Sequence, residues 1–456
     1  MVYDLIVLGG GPAGCLASER AGHAGLKVLL IEKSNVGGVC LNEGCIPTKT
    51  LLYSAKLLDN AKSAEKYGIT VSGISIDHRK VIERKNKVVR TLTVGVKSAL
   101  KANGVTLVDG NGVIQGKDQD GFKVSVNEET YTGKRLLIAT GSSPSVPPIP
   151  GLKEGLESGM VLTNREILNL NDVPEELVVI GGGVIGLEMA SYFNSAGSKT
   201  TIIEMLDHIG GDNDSELTKL LQKEYEKKGI NFHLNSRVTG IDTNGVHFEI
   251  NGESKFVPAE KVLLSVGRRP NINGIGLENI NVATQNGAIV TDDRMQTNIP
   301  DVYAAGDVNG RYMLAHTAYR EAEVAVNNML GKEDRMNYNA IPSVIYTNPE
   351  LASVGETEAG ALLKGMDIAV VKVPMRFSGR YLAENEGGNG VFKLVFDKKQ
   401  GKVIGASALG NYSSEFIIAC GIIIEKGLTL EDIKKTVFPH PTVCEVIREA
   451  VFQLNI

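Results

Sequence analysis

A chain of 456 residues is too long for one ordinary hydrophobic core, and length alone predicts about three domains. A formal net charge of −5, with no basic stripe and no aromatic–basic interleaving, gives no reason to expect a nucleic-acid partner. No apolar run reaches the ~18 residues that a spanning helix needs, and five cysteines are too few for a disulfide scaffold and fit a reducing compartment.

The chain starts directly in a buried-strand pattern, with no basic leader, cleavage site or transit segment, so a cytoplasmic location is expected. Leu5-Ile6-Val7-Leu8 leads into Gly9-Gly10-Gly11-Pro12-Ala13-Gly14, a helical stretch follows, and a second strand over 28–31 ends at Glu32. A lone GxGxxG is weak in a chain with 52 glycines. Here it follows an apolar strand, opens a helix and is answered by an acid at the next strand's tip, the context a dinucleotide-binding unit requires. The first glycine makes the turn and the second lets the backbone approach a pyrophosphate. The third lets helix and strand pack closely, while the helix amino terminus supplies N–H donors. The acid suits ribose hydroxyls.

A few residues later Cys40 and Cys45 stand five apart in Gly37-Gly38-Val39-Cys40-Leu41-Asn42-Glu43-Gly44-Cys45-Ile46-Pro47-Thr48-Lys49. A five-residue helical step rises ~7.5 Å, and cysteines with Cα atoms more than ~7 Å apart cannot be bridged without backbone movement. A bridge would need a distorted turn, which Gly44 would ease. Such a strained, accessible disulfide would be reducible. Two independent free thiols are the alternative.

Residues 136–141 read as a closing strand, and 142–151 as a proline-rich linker. The whole pattern then repeats. A strand over 177–180 leads to Gly181-Gly182-Gly183-Val184-Ile185-Gly186, a helix, a strand over 200–203 and Glu204. The offset is 172 residues both from Gly9 to Gly181 (181 − 9) and from Glu32 to Glu204 (204 − 32). Glu204 would repel a 2′-phosphate, and residues 205–209 contain no arginine, so the second site is expected to take NAD and not NADP. Residues 262–270 close this unit. A helix is expected over 316–330 and a polar break over 331–338. A final α+β unit then has strands over 343–346, 391–396 and 403–408, and helices over 414–426 and 444–454. Within it, Thr442-Val443-Cys444-Glu445 reads as a capping box, and Pro441 restricts His440 to extended geometry, with a cis bond plausible.

From end to end these residues resemble the pyridine nucleotide–disulfide oxidoreductases. The match covers the 37–49 motif, both fingerprints, Ala139-Thr140-Gly141, Gly306-Asp307 and Met313-Leu314-Ala315-His316. It continues through Tyr346-Thr347-Asn348-Pro349-Glu350-Leu351-Ala352-Ser353-Val354-Gly355 and His440-Pro441-Thr442-Val443-Cys444-Glu445. The resemblance implies an α/β fold with two Rossmann-like dinucleotide-binding domains, for FAD and NAD, plus a C-terminal α+β dimerisation domain. Its boundaries would be 1–145 for the FAD domain with the redox disulfide, 146–267 for the NAD domain, 268–337 for a second part of the FAD-binding or central domain, and 338–456 for dimerisation. It implies Gly9, Gly11, Gly14, Glu32, Lys33, Gly38, Gly112, Gly141, Asp307 and Ala315 around FAD. Gly181, Gly183, Val184, Gly186, Glu204, Val238 and Gly267 would lie around NAD. Lys49 would serve near the flavin, paired with Glu188.

The same resemblance implies oxidation of protein-bound dihydrolipoamide through a Cys40–Cys45 disulfide and FAD, with NAD⁺ as acceptor. Cys40 is the interchange sulfur and Cys45 the flavin-side sulfur. In a homodimer with shared active sites, His440 of the other copy would be the base and Glu445 its orienting partner. The protein partner would be a lipoyl-bearing component of a 2-oxoacid dehydrogenase complex or of glycine cleavage. No metal site, membrane or nucleic acid is expected. Phe438 stands where the family often has a second histidine, and Cys444 where serine is common; Cys444 is expected to be a passive packing residue. Cys15 and Cys420 are expected in the core. Against glutathione-type enzymes stands Glu204, and against single-cysteine oxidases and peroxidases the second cysteine. A reductase of another disulfide on the same scaffold remains the alternative, with a flavin-bearing structural subunit behind it.

Overall fold

The computed structural model describes residues 1–454, so the last two residues of the expected dimerisation domain lie outside it. The chain divides into two compact units. The first comprises 1–50, 80–146 and 267–337; the second comprises 51–79, 147–266 and 338–456.

The first unit is organised by a five-stranded parallel sheet in the order Val302–Ala304, Leu136–Ile138, Leu5–Leu8, Val28–Glu32, Thr106–Asp109. Its central strands are near-continuous apolar runs, as expected of parallel strands covered on both faces. Pro12–His23, with proline in its first turn, packs against Ala315–Met329. A second sheet (Val2–Tyr3, Glu129–Gly133, Gly121–Val126, Val113–Asp118) shares one core with the first, in which Ile6, Leu8, Ile114, Phe122, Leu136 and Val302 are fully buried.

The second unit repeats the parallel arrangement with Val161–Leu162, Lys261–Leu264, Glu176–Ile180, Lys199–Ile203 and Asn231–His233, beside a three-stranded antiparallel sheet spanning 236–258. It also holds a five-stranded antiparallel sheet, Pro342–Ile345, Leu351–Gly355, Lys402–Leu409, Val391–Asp397 and Ile368–Pro374. Ser413–Lys426 and Glu445–Gln453 pack with that sheet around Phe392, Ala406, Ile417 and Val446.

The stretch expected to be a linker departs from that reading. Ser142–Pro144 is a strand paired antiparallel with Arg268–Pro270, and only the residues beyond it connect. Proline tolerates strand edges, where its missing N–H costs no ladder bond, so Pro144 ends a strand and the connection is shorter than its proline content implies. Cys420 is buried in the core as expected, but Cys15 is only half-buried. Its thiol donates to the Gly10 carbonyl at 2.9 Å, because the helix position after Gly14 faces back toward the glycine turn. Among the described residues no helix is long and apolar enough to cross a membrane, and no cluster of three or more His, Cys, Asp or Glu side chains could hold a metal.

Candidate active site

Each glycine fingerprint is a cradle that its own geometry explains. At the first, Gly9 has φ +101°, and a Cβ on Gly14 would lie 1.8 Å from the Gly9 carbonyl oxygen. Gly11, between them, has open space where a side chain would be. The second copy matches: Gly181 has φ +104°, a Cβ on Gly186 would lie 2.1 Å from the Gly181 oxygen, and Gly183 is open. In both, an open glycine at a helix amino terminus leaves room for a phosphate against backbone N–H groups.

The acids are placed alike too. One carboxyl oxygen of Glu32 accepts from Gly10 N–H at 2.6 Å and the other from Ser34 N–H at 2.7 Å. Glu204 accepts from Gly182 N–H at 2.6 Å and Leu206 N–H at 2.8 Å. The glycines, acids and open space therefore fit two dinucleotides. Of the remaining expected nucleotide residues, Lys33 is exposed just beyond the strand Val28–Glu32. A Cβ on Gly112 would strike Leu8 at 2.7 Å. Gly141 and Gly267 take φ +69° and +107° at the ends of two closing strands. Val184 is exposed at the start of its helix, and Val238 is half-buried in the strand Ser236–Asp242.

Between the first fingerprint and the cysteines the chain folds back on itself. Gly37 N–H donates to the Gly10 carbonyl at 2.7 Å, and a Cβ on Gly38 would lie 2.7 Å from Gly11 Cα. The short helix Gly38–Glu43 carries Cys40, and Gly44 breaks it with φ −150°, ψ −108° before Cys45 opens the helix Cys45–Lys62. That break brings together two thiols that a continuous helix would hold apart. Both are unbridged, and the Cys40 thiol is hydrogen-bonded to Cys45. This bond, together with burial, pushes Cys40 far above the usual thiol range, while Lys49 nearby pulls the other way.

Asp307 follows Gly306, which has φ +80°. Its carboxylate accepts from Ser142 Oγ at 2.5 Å, and that hydroxyl accepts from Arg268 Nε at 2.7 Å. Ala315 opens the helix Ala315–Met329, whose first turn has no side-chain cap. A cleft of about 390 Å³ beside this loop is lined by Arg268, Asn309, Arg311 and Met313 among others.

In the second unit Glu188 is buried, and its carboxylate accepts from Tyr346 N–H at 3.0 Å. His440 is exposed, and its Nδ1 lies 2.9 Å from Glu445 Oε1. Glu445 Oε2 accepts from Thr442 N–H at 2.8 Å. The carboxylate therefore makes half of the expected capping box and holds the imidazole at the same time. The Thr442 hydroxyl leaves the box, donating to the Pro439 carbonyl and lying 3.1 Å from Cys444 Sγ. The His440–Pro441 bond is cis. Burial opposes ionisation of Glu445, but Thr442 N–H and His440 outweigh it and hold the carboxyl below its usual range. Because a carboxylate accepts at Nδ1, the lone pair of His440 is left on Nε2.

Ser142, Arg268 and Glu321 were given no role from the sequence, and Tyr346 entered it only as part of a motif. Tyr346 and Arg268 act here through a backbone N–H and through contacts to Ser142, which leave no pattern. Glu321 did leave one: it is a charged residue on the same stripe as Ala318, Ala322 and Ala325 of an amphipathic helix, fully buried.

The comparisons agree with this geometry. Residues 3–322 match the pyridine nucleotide-disulphide oxidoreductase family and residues 341–451 that family's dimerisation domain. The chain belongs to the pyridine nucleotide-disulphide oxidoreductase family, and FAD and NAD are its cofactors. Its dimerisation domain supports a homodimer. The chain is similar to the dihydrolipoyl dehydrogenase of Mycoplasma genitalium, 38% identical over 99% of both chains. It is also similar to that of Bacillus subtilis, 39% identical over 98% of this chain and 95% of the relative. Among solved structures it resembles a copper(II) complex of the HOCl-induced flavoprotein disulfide reductase RclA from Escherichia coli (TM-score 0.87, 28% identity, 99% and 100% coverage). LpdA from Mycobacterium tuberculosis shares the fold at a TM-score of 0.90, with 23% identity and 99% of each chain covered.

Proposed function

We propose that this chain oxidises protein-borne dihydrolipoyl groups with NAD⁺, in the cytoplasm, as the flavoprotein component serving a separate lipoyl-bearing protein. The observation that carries this reading is the hydrogen-bonded Cys40–Cys45 pair, set one helix break away from a dinucleotide cradle. Full-length similarity to dihydrolipoyl dehydrogenases supports the choice of substrate. Unpaired Cys15, Cys420 and Cys444 support a reducing compartment.

In the resting oxidised enzyme Cys40 and Cys45 form a disulfide, which two electrons reduce to a pair of thiols. The partner copy's His440 accepts a proton from one substrate thiol at Nε2, while Glu445 holds the other ring nitrogen and stabilises the imidazolium. The substrate thiolate attacks Cys40 Sγ, and Cys45 leaves as a thiolate. The second substrate sulfur, deprotonated in turn, closes the lipoyl ring and releases Cys40. FAD, held by the first cradle, would supply the redox centre that links the thiol pair to NAD⁺.

Gly9, Gly11, Gly14, Glu32, Lys33, Gly38, Gly112, Gly141, Asp307 and Ala315 hold FAD in this reading. Gly181, Gly183, Val184, Gly186, Glu204, Val238 and Gly267 hold NAD. Lys49 and Glu188 act at the flavin. The first domain spans 1–145 and 268–337, the NAD domain 146–267 and the dimerisation domain 338–456.

An anaerobic titration of the purified yellow protein tests this. Dihydrolipoamide is expected to produce a long-wavelength absorption band, and added NAD⁺ to yield NADH over repeated turnovers. If NADH raises that band but dihydrolipoamide does not, the scaffold and cysteine pair stand and the substrate is another disulfide.

A further inference from the structure

Glu321 has no part in the chemistry above, yet it is fully buried. Burying a carboxyl group is costly unless its oxygens are hydrogen-bonded, so its position calls for an explanation. One oxygen accepts from Gly306 N–H at 2.6 Å. Gly306 has φ +80° and ψ −160°, a conformation essentially reserved for glycine. A Cβ there would also crowd Ala318 at 3.3 Å and touch Ala13 at 3.5 Å, in the two helices that pack on each other. The next residue is Asp307, whose carboxylate is held from the other side by Ser142 Oγ at 2.5 Å. Ser142 is in turn gripped by Arg268, through Nε to its hydroxyl at 2.7 Å and through a terminal nitrogen to its carbonyl at 2.8 Å. The turn carrying Asp307 is thus fixed at both ends, by a buried carboxyl group before it and an arginine–serine pair beside it.

We propose that Glu321 is a positioning residue for FAD: by anchoring the Gly306 N–H it fixes the turn that presents Asp307, and so sets how tightly the flavin is retained. This rests on the reading of Asp307 as a flavin-binding residue. A glutamate is suited to the task because it reaches the N–H from the helix Ala315–Met329 without a loop of its own, so the turn inherits the rigidity of the helix packing.

The test compares the purified holoproteins of Glu321→Ala, Glu321→Gln, Asp307→Ala and the Glu321→Ala/Asp307→Ala double variant. Three quantities are measured: FAD dissociation constant after reconstitution of the apoprotein, visible flavin spectrum, and melting temperature with and without FAD. Asp307→Ala is expected to weaken FAD retention by about tenfold or more and Glu321→Ala by several-fold, each losing roughly one contact's coupling. Glu321→Gln, which keeps an acceptor oxygen, is expected to recover most of that retention and the wild-type spectrum. The double variant is expected to be no weaker than Asp307→Ala alone. If Asp307→Ala weakens FAD while Glu321→Ala does not, or the two losses add, the proposal falls and the Asp307 reading survives. It falls equally if Glu321→Ala lowers the melting temperature of apoprotein and holoprotein by the same amount. If Asp307→Ala leaves FAD retention unchanged, the Asp307 reading fails and takes the proposal with it.

Discussion

The two glycine fingerprints are near copies, and what the chain does after each of them is not. Both have an open middle glycine, a third glycine whose Cβ would overlap a carbonyl oxygen, and an acid holding the N–H of the second residue of the turn at 2.6 Å. Even the closing contact recurs, Gly37 to the Gly10 carbonyl at 2.7 Å and Gly210 to the Gly182 carbonyl at 2.8 Å. After the first closure, Gly38 presses against Gly11 and the chain delivers Cys40 within two residues. After the second, Gly211 meets nothing, and Val184, Met205 and Leu206 are left exposed. The cradle is a generic way to hold a dinucleotide, and the chemistry lies in residues grafted beside it. One copy is followed at once by a redox pair; the other is followed by exposed apolar side chains.

The harshest way to break this comparison is to add one methyl to the scaffold. With Cβ placed 1.8 Å and 2.1 Å from carbonyl oxygens, Gly14→Ala and Gly186→Ala cannot be accommodated by a side-chain shift. Overpacking typically costs about 1–3 kcal/mol and more where backbone must move. Gly14→Ala is expected to yield protein nearly free of flavin, and Gly186→Ala a yellow protein whose NAD⁺ dissociation constant rises by roughly tenfold or more. Flavin content by absorbance and NAD⁺ binding by calorimetry check both. Should Gly186→Ala also lose its flavin, the two cradles are not independent and the comparison fails.

Grafted residues should behave differently, altering rate without emptying a cradle. If His440 is the base proposed above, Glu445→Gln removes the charged partner of its ring at 2.9 Å, and with it part of the ~10²–10⁴-fold that a positioned base contributes. A fall in kcat/KM of about tenfold, with full flavin content, is the expected result. The pH dependence has a definite sign. Because the folded Glu445 carboxyl is held below its usual value, its contribution to stability is complete above the ordinary glutamate pKa of ~4.3. That contribution is lost as pH falls through the lowered folded value. Acid unfolding curves of wild type and Glu445→Gln should therefore converge at low pH and separate above it. Curves that stay parallel would mean that the pair with His440 and Thr442 contributes nothing.

This division also explains what could be read from the chain. The fingerprints, the acids and the strands leading to them were legible because glycine spacing and apolar runs are local in sequence. The helix expected over 316–330 is Ala315–Met329, and that expected over 414–426 is Ser413–Lys426, for the same reason. Illegible were the strands Leu351–Gly355 and Ile368–Pro374, whose pairing is set by partners such as Gly405 and Phe396, distant along the chain. In the site, the spacing of Cys40 and Cys45 showed only that pairing them would need a break, and Gly44 is where the chain makes it. The sequence suggested a capping box and an orienting partner for Glu445 separately; that one carboxylate serves both, Oε1 to His440 and Oε2 to Thr442 N–H, depends on the geometry of the 440–445 turn and not on spacing. Glu321 and Ser142 went unseen since their partners are a backbone N–H and an aspartate 165 residues away.

The smallest effect should come from Cys444, which lies next to the grafted pair without belonging to it. Its thiol is half-buried, 3.1 Å from the Thr442 hydroxyl, and Phe438 and Cys444 pack together against the core that includes Val443 and Val446. Serine is nearly isosteric with cysteine and keeps a hydroxyl able to hydrogen-bond Thr442, so the turn between His440 and Glu445 has no reason to move. Cys444→Ser is accordingly expected to change kcat/KM by less than about tenfold, within what a small packing adjustment produces. It should also leave the long-wavelength band of the dihydrolipoamide-reduced protein unaltered. A larger loss, with flavin content and melting temperature intact, would mean that this thiol takes part in the exchange. The grafted chemistry would then comprise three sulfurs, and the distinction between a generic cradle and a two-cysteine graft would have to be redrawn around Cys444.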